Sequence, residues 1–89
     1  MAIQKIGQIS GNFSAGEDIL SLIRLNTMNS SLSEIDHIGI ETKVGNKVDI
    51  NGKRFEIGKT GHLEFTEEKI YSLSFCQDSK AIIDFSYLN

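Results

Sequence analysis

Lys47-Val48-Asp49-Ile50-Asn51-Gly52-Lys53-Arg54-Phe55-Glu56-Ile57 is the stretch that decides the fold. Asn-Gly between two alternating apolar runs is a strong hairpin signal, because a type I′ turn needs positive φ at both central residues. A two-residue loop at Asn51-Gly52 sets Ile50 opposite Lys53, Asp49 opposite Arg54, Val48 opposite Phe55 and Lys47 opposite Glu56. One face then carries Val48, Ile50 and Phe55, with Ile57 further out. The other carries two opposite-charge pairs, Asp49/Arg54 and Lys47/Glu56. Each pair is worth only ~0.2–1 kcal/mol, but a one-residue slip would scramble both faces together.

Outward from the hairpin, the same period of two recurs. Glu34-Ile35-Asp36-His37-Ile38-Gly39-Ile40-Glu41-Thr42 reads as a strand with Ile38 and Ile40 on one face. Ile35 falls on the wrong side of that alternation, so a bend is expected near it. Val44-Gly45-Asn46 turns the chain into the hairpin. Gly58-Lys59-Thr60-Gly61 makes a second tight turn, after which Leu63 and Phe65 point inward. Tyr71, Leu73 and Phe75 alternate with Ser72 and Ser74, and Ala81, Ile83, Phe85 and Tyr87 share one face of a last strand. Short strands at this spacing with glycine-rich turns indicate an all-β fold, a small antiparallel β-sandwich or barrel with short hairpins. The structural turn positions are Asn51, Gly52, Gly58 and Gly61.

The first third of the chain, residues 1–33, is rich in Ser and Asn and mixed in periodicity. Ser14-Ala15-Gly16-Glu17 fits a capping box, which would place Ile19, Leu22, Ile23 and Asn26 on one helical face. Ile19, Ser21, Ile23 and Leu25 also alternate at period two. Gly16 in a first helical turn costs ~1 kcal/mol relative to Ala, so a strand over 17–27 is expected, with a short helix as the alternative.

The chain has 89 residues, 39% of them apolar, with no proline. That suits a single domain over 1–89 with a thin core and argues against disorder. No apolar run approaches the ~20 residues of a membrane helix, and Met1–Gly7 lacks the pattern of a secretory leader. A net charge of −3 argues against nucleic acid or an anionic membrane as partner.

The sequence holds no pattern from which a catalytic or ligand-binding site is expected. His37, His62 and Cys76 have no metal-ligand spacing, so no metal site is foreseen. Cys76 follows the apolar strand Leu73-Ser74-Phe75 and reads as a small hydrophobe. The ten serines include no GxSxG elbow, and adjacent Glu67 and Glu68 on a strand would face opposite ways. Gly58-Lys59-Thr60 echoes a P-loop, but Lys53 stands where that motif needs glycine and no helix follows. The five Phe and two Tyr read as inward-facing and do not interleave with Lys and Arg. The expectation is a non-enzymatic protein without cofactor, with a small-molecule ligand disfavoured.

Ile38-Gly39-Ile40, Gly45, Ile50-Asn51-Gly52, Ile57-Gly58-Lys59-Thr60-Gly61, Ser72-Leu73-Ser74-Phe75 and Ile82-Ile83-Asp84-Phe85-Ser86-Tyr87 together resemble a small β-module in tail and other virion proteins of phages of Gram-positive bacteria. The resemblance runs from His37 to Tyr87, mostly over turn and core positions. The chain departs from it at Glu41-Thr42-Lys43-Val44, where the pattern has a proline before the first turn. The resemblance implies a virion component assembled in the host cytoplasm, a tail, baseplate or fibre-associated subunit or a head decoration protein. Its partners would be other virion proteins and copies of itself, through strand edges and the Ser/Asn-rich Met28–Ser33 segment. A carbohydrate- or host-receptor-binding module and a small phage-encoded inhibitor of a host protein are the alternatives.

The hairpin register makes a direct prediction. Gly52→Val, a β-branched residue forced to positive φ, lowers stability by more than ~1 kcal/mol. A thermal melt unchanged by the substitution would contradict the register.

Overall fold

A computed structural model describes residues 4–27, 34–58, 61–66 and 69–88. Along them run β1 (Gln4–Phe13), α1 (Ile19–Thr27), β2 (Glu34–Thr42), β3 (Lys47–Ile50), β4 (Lys53–Glu56), β5 (His62–Phe65), β6 (Leu73–Phe75) and β7 (Ser79–Leu88). The strands form two antiparallel sheets, one in the order β1-β7-β2-β5 and one in the order β4-β3-β6. The fold is therefore a small, mostly-β sandwich-like one, as the strand spacing led us to expect. Met28–Ser33, Lys59, Thr60, Glu67 and Glu68, to which sequence-based expectations were attached, lie outside the described residues.

β3 and β4 pair in the register read from the sequence, Ile50 with Lys53 through Lys47 with Glu56. Val48 and Ile50 are fully buried and Phe55 packs against the core from its edge. The opposed charges do not close into ion pairs. The Asp49 carboxylate instead accepts the N–H of Gly52 at 3.0 Å, while Glu64 of β5 lies within 4.0 Å of His37 on β2 and at 3.0 Å from His62 on its own strand.

β2 runs over the span expected, and the bend near Ile35 is real. Its pairing with β7 slips between Ile35 and His37, so one extra residue enters the strand there. The slip returns Ile35 to the same face as Ile38 and Ile40, and all three are buried. β7 lies between β1 and β2, and its inward row Ala81, Ile83, Phe85 and Tyr87 is buried from end to end.

Aromatic pairs tie the two sheets at both open sides. Phe13 of β1 stacks on Phe75 of β6 with ring centroids 5.5 Å apart. At the opposite side Phe55 of β4 meets Phe65 of β5 edge-on at 5.1 Å. Such pairs add ~0.5–1.5 kcal/mol beyond the area they bury.

The strand expected over 17–27 is a helix. Ile19, Leu20 and Ile23 are buried at the spacing of one helical face, while Leu25, which a strand would turn inward, is 75% exposed. Nine residues are too few for a stable helix in water, so this packing holds α1 in place; each fully buried apolar side chain is worth roughly 1.5–3 kcal/mol. The capping box is displaced by one turn. Ser14 and Glu17 close a tight turn on each other, the Ser14 N–H donating to the Glu17 carboxylate at 3.1 Å and the Glu17 N–H to the Ser14 carbonyl at 3.1 Å. Asp18 caps the helix, its carboxylate accepting the N–H groups of Leu20 (3.1 Å) and Ser21 (3.4 Å) and the Ser21 hydroxyl at 2.6 Å. Gly16, the residue counted against a helix, precedes it.

The Ser21 hydroxyl bond is the main cause that holds the Asp18 carboxyl below its ordinary value. Partial burial works against it, and the two N–H bonds and the charge of Arg24 assist. A carboxyl with a depressed folded-state pKa stabilises above the unfolded value near ~3.9 and loses that contribution as pH falls through the folded value. Asp18→Ala should cost about 1 kcal/mol at neutral pH. The difference from wild type in urea titrations should shrink as the pH is taken well below 4, where the wild-type cap is itself protonated.

Candidate functional site

Of the four turn positions, three need their residue type. Asn51 (φ 53°) and Gly52 (φ 83°) have the positive φ pair of the type I′ turn. A Cβ on Gly52 would meet nothing, so what restricts that position is the backbone angle and not space. Gly61 (φ 73°) is restricted twice over, since a Cβ there would lie 2.0 Å from the Thr42 carbonyl oxygen. Its N–H closes the turn on the Gly58 carbonyl at 2.7 Å, and its carbonyl accepts the Thr42 N–H at 2.7 Å. Gly58 has ordinary φ and room for a side chain.

Asn51 does more than turn the hairpin. Its side-chain oxygen accepts the N–H groups of Tyr71 (2.8 Å) and Ser72 (3.1 Å), and its amide donates to the Lys69 carbonyl at 2.6 Å. Its backbone N–H donates to the Ser72 carbonyl at 3.1 Å. One side chain thereby fixes the segment that leads into β6. Successive N–H groups of a strand point to opposite sides, so two converging on one oxygen mark a stretch that is not strand. This overturns the inward reading of Tyr71: β6 starts at Leu73, and Tyr71 is 71% exposed. Tyr87 is buried as expected.

The outer face of the four-stranded sheet carries the two histidines. Glu64 lies 3.0 Å from His62 Nε2 and 4.0 Å from His37 Nε2, with the His37 ring lying over Gly39. Among the described residues no group of three His, Cys, Asp or Glu side chains is placed to hold a metal ion. Cys76 is half-buried, less enclosed than its apolar neighbours suggest, and its N–H donates to the Lys47 carbonyl at 2.8 Å.

A shallow hollow of about 360 Å³ opens where β1 and β2 end and β7 begins, bordered by Ser10, Glu41, Lys43, Lys80 and Ile82. The polar side chains nearby are engaged within the fold. Thr42 donates its hydroxyl to the Val44 carbonyl, and the Gln77 amide donates to the Asn46 side chain. Among the described residues, no buried side-chain nitrogen or oxygen lacks a hydrogen-bond partner. The polar groups inside the fold are thus engaged by the fold itself.

No match is found for this chain among protein-family models, curated proteins or solved structures.

Asn51→Gly keeps the left-handed turn and removes three side-chain bonds. It should cost about 1–3 kcal/mol in urea denaturation. Raised amide exchange at Tyr71 and Ser72, with the β3–β4 amides still protected at low denaturant, would show that the clamp and not the turn was lost.

Proposed function

We propose that the chain is a non-enzymatic assembly protein that works through protein–protein contacts, and that its setting is a phage virion, as a tail, baseplate or fibre-associated subunit or a head decoration protein. The observation that supports this most is the openness of both sheets. Among the described residues neither closes on itself, so β1, β5, β4 and β6 lie at edges, and an edge that is not otherwise blunted can pair with a neighbour. A thin core gains from such contacts, because a partner that binds only the folded chain stabilises it by mass action. The engagement of buried polar groups in holding turns and caps fits a scaffold whose work is done at its surface. The virion setting rests on the sequence resemblance, carried by Ile50-Asn51-Gly52, Gly58 to Gly61 and the strands that follow them.

The exposure of Tyr71 favours a second reading, a carbohydrate- or host-receptor-binding module. A tyrosine on the surface, its backbone N–H held by the Asn51 side chain, is the kind of group that packs on a sugar. Under this reading Tyr71→Ala abolishes attachment of purified protein to host cell walls; under the assembly reading it leaves attachment unchanged.

Quantitative mass spectrometry of purified particles should find many copies per virion, in a ratio set by particle symmetry. Protein confined to the infected-cell lysate would defeat the proposal in favour of an inhibitor of a host protein.

A further inference from the structure

The four sheet edges are not alike. β5 and β4 have four residues each, and β4 presents Lys53, Arg54 and Glu56, all exposed. β6 has three residues, and the Phe75 carbonyl already accepts the Gly16 N–H at 2.9 Å. Short length, charge and capping are the ordinary means of keeping an edge from pairing. Among the described residues β1 is neither short nor capped, and it has little charge. It is ten residues long, contains no proline, pairs with β7 without a slip and has Lys5 as its one charged residue. Among the described residues, the backbone hydrogen bonds outside regular strand and helix pairing do not involve β1.

We infer that β1 is a pairing edge and that its occupant is β1 of a second copy of this chain, antiparallel, joining two four-stranded sheets into one across a two-fold axis. The inference rests on the assembly reading above and names its surface and partner. Charge favours a second copy. In a chain of net charge −3, β1 is a nearly neutral strip, and the one carboxylate shown bonded to its outer row, Asp84, accepts the Gln8 amide at 2.7 Å. An axis at Gln8 sets Lys5 opposite Gly11 and Ile6 opposite Ser10, so no like charges meet. Packing favours it as well. Ile6 is 80% exposed on the outer face, and Ile9, on the inner face, is only partly covered by the core. An isologous contact places a second strand beside both.

Sedimentation across micromolar to millimolar concentration tests this. Wild type should approach twice the monomer mass of 9.9 kDa. Gln8→Lys with Ser10→Lys, both exposed positions, brings lysines together at the axis and should leave a monomer with an intact fold by circular dichroism. Thr66→Lys, beyond the opposite edge, should still dimerise. If the double variant fails to fold, amide exchange of wild type decides, since β1 protection should rise with concentration. A wild-type monomer throughout, a dimer that survives both lysines, or β1 protection independent of concentration overturns the inference. A dimer of this kind that is absent from particles would defeat the virion reading and leave this one standing; a monomer abundant in particles would do the reverse.

Discussion

The pairing of β7 on both of its sides is what the rest of the structure depends on. Among the described residues β1 has β7 as its strand partner, and β2 meets β7 along most of its length. The inward row of β7 lies at the centre of the core, with Ile83 and Phe85 almost wholly enclosed. Without β7, the described strands leave β1 unpaired and β2 with only the four-residue β5. Contacts between the two ends of the chain cost the most loop entropy and form late. Folding of the larger sheet is therefore cooperative by construction, and its stability cannot be divided between an N-terminal and a C-terminal half.

The smaller sheet is held differently. Its strands have three or four residues, too short to persist as isolated hairpins. Side chains supplement the ladder at the points where it is weakest. Asn51 secures the approach to β6 and the Asn46 side chain accepts the Gln77 amide, while the main-chain carbonyl of Asn46 takes the Ile57 N–H at 2.7 Å. Phe13–Phe75 and Phe55–Phe65 then fasten this sheet to the larger one at its two sides. Polar clamps set the small sheet's shape, and aromatic packing sets its place.

Where the sequence spoke clearly, local chemistry and tertiary packing made the same demand. Asn51-Gly52 needs a left-handed turn, the flanking alternation needs one register, and both are met. Ile35 looked misplaced because a strict period of two cannot represent an extra residue, yet the anomaly itself located the slip. Residues 19–25 satisfied both periods, and Asp18, an acceptor placed to cap two N–H groups, was the signal overlooked. β1 is not legible in the sequence because its inward row, Gly7, Ile9, Gly11 and Phe13, contains two glycines while Ile6 faces out. The reason for Gly7 lies far along the chain, since a Cβ there would sit 2.5 Å from the Phe85 ring. Tyr71 was misread for a related reason. Its alternation with Leu73 and Phe75 is real, but the Asn51 side chain, twenty residues earlier, takes its backbone out of the strand.

The same long-range origin separates the residues that hold the fold from those free to act outward. Asn51, Asp18, Gly61 and Phe85 are committed to internal contacts, and changing them alters the scaffold before it alters any surface. Ile6, Tyr71 and the edge of β1 are exposed, and the fold described above asks little of their outward sides. A small chain keeps little core to spare, so exposed apolar groups beside an unblunted ten-residue edge carry a cost in aggregation. The three other edges are shortened, charged or capped, which shows that this chain has the means to avoid that cost. Among the described residues β1 is the edge left long and uncapped, and that asymmetry is the ground for proposing it as a pairing surface.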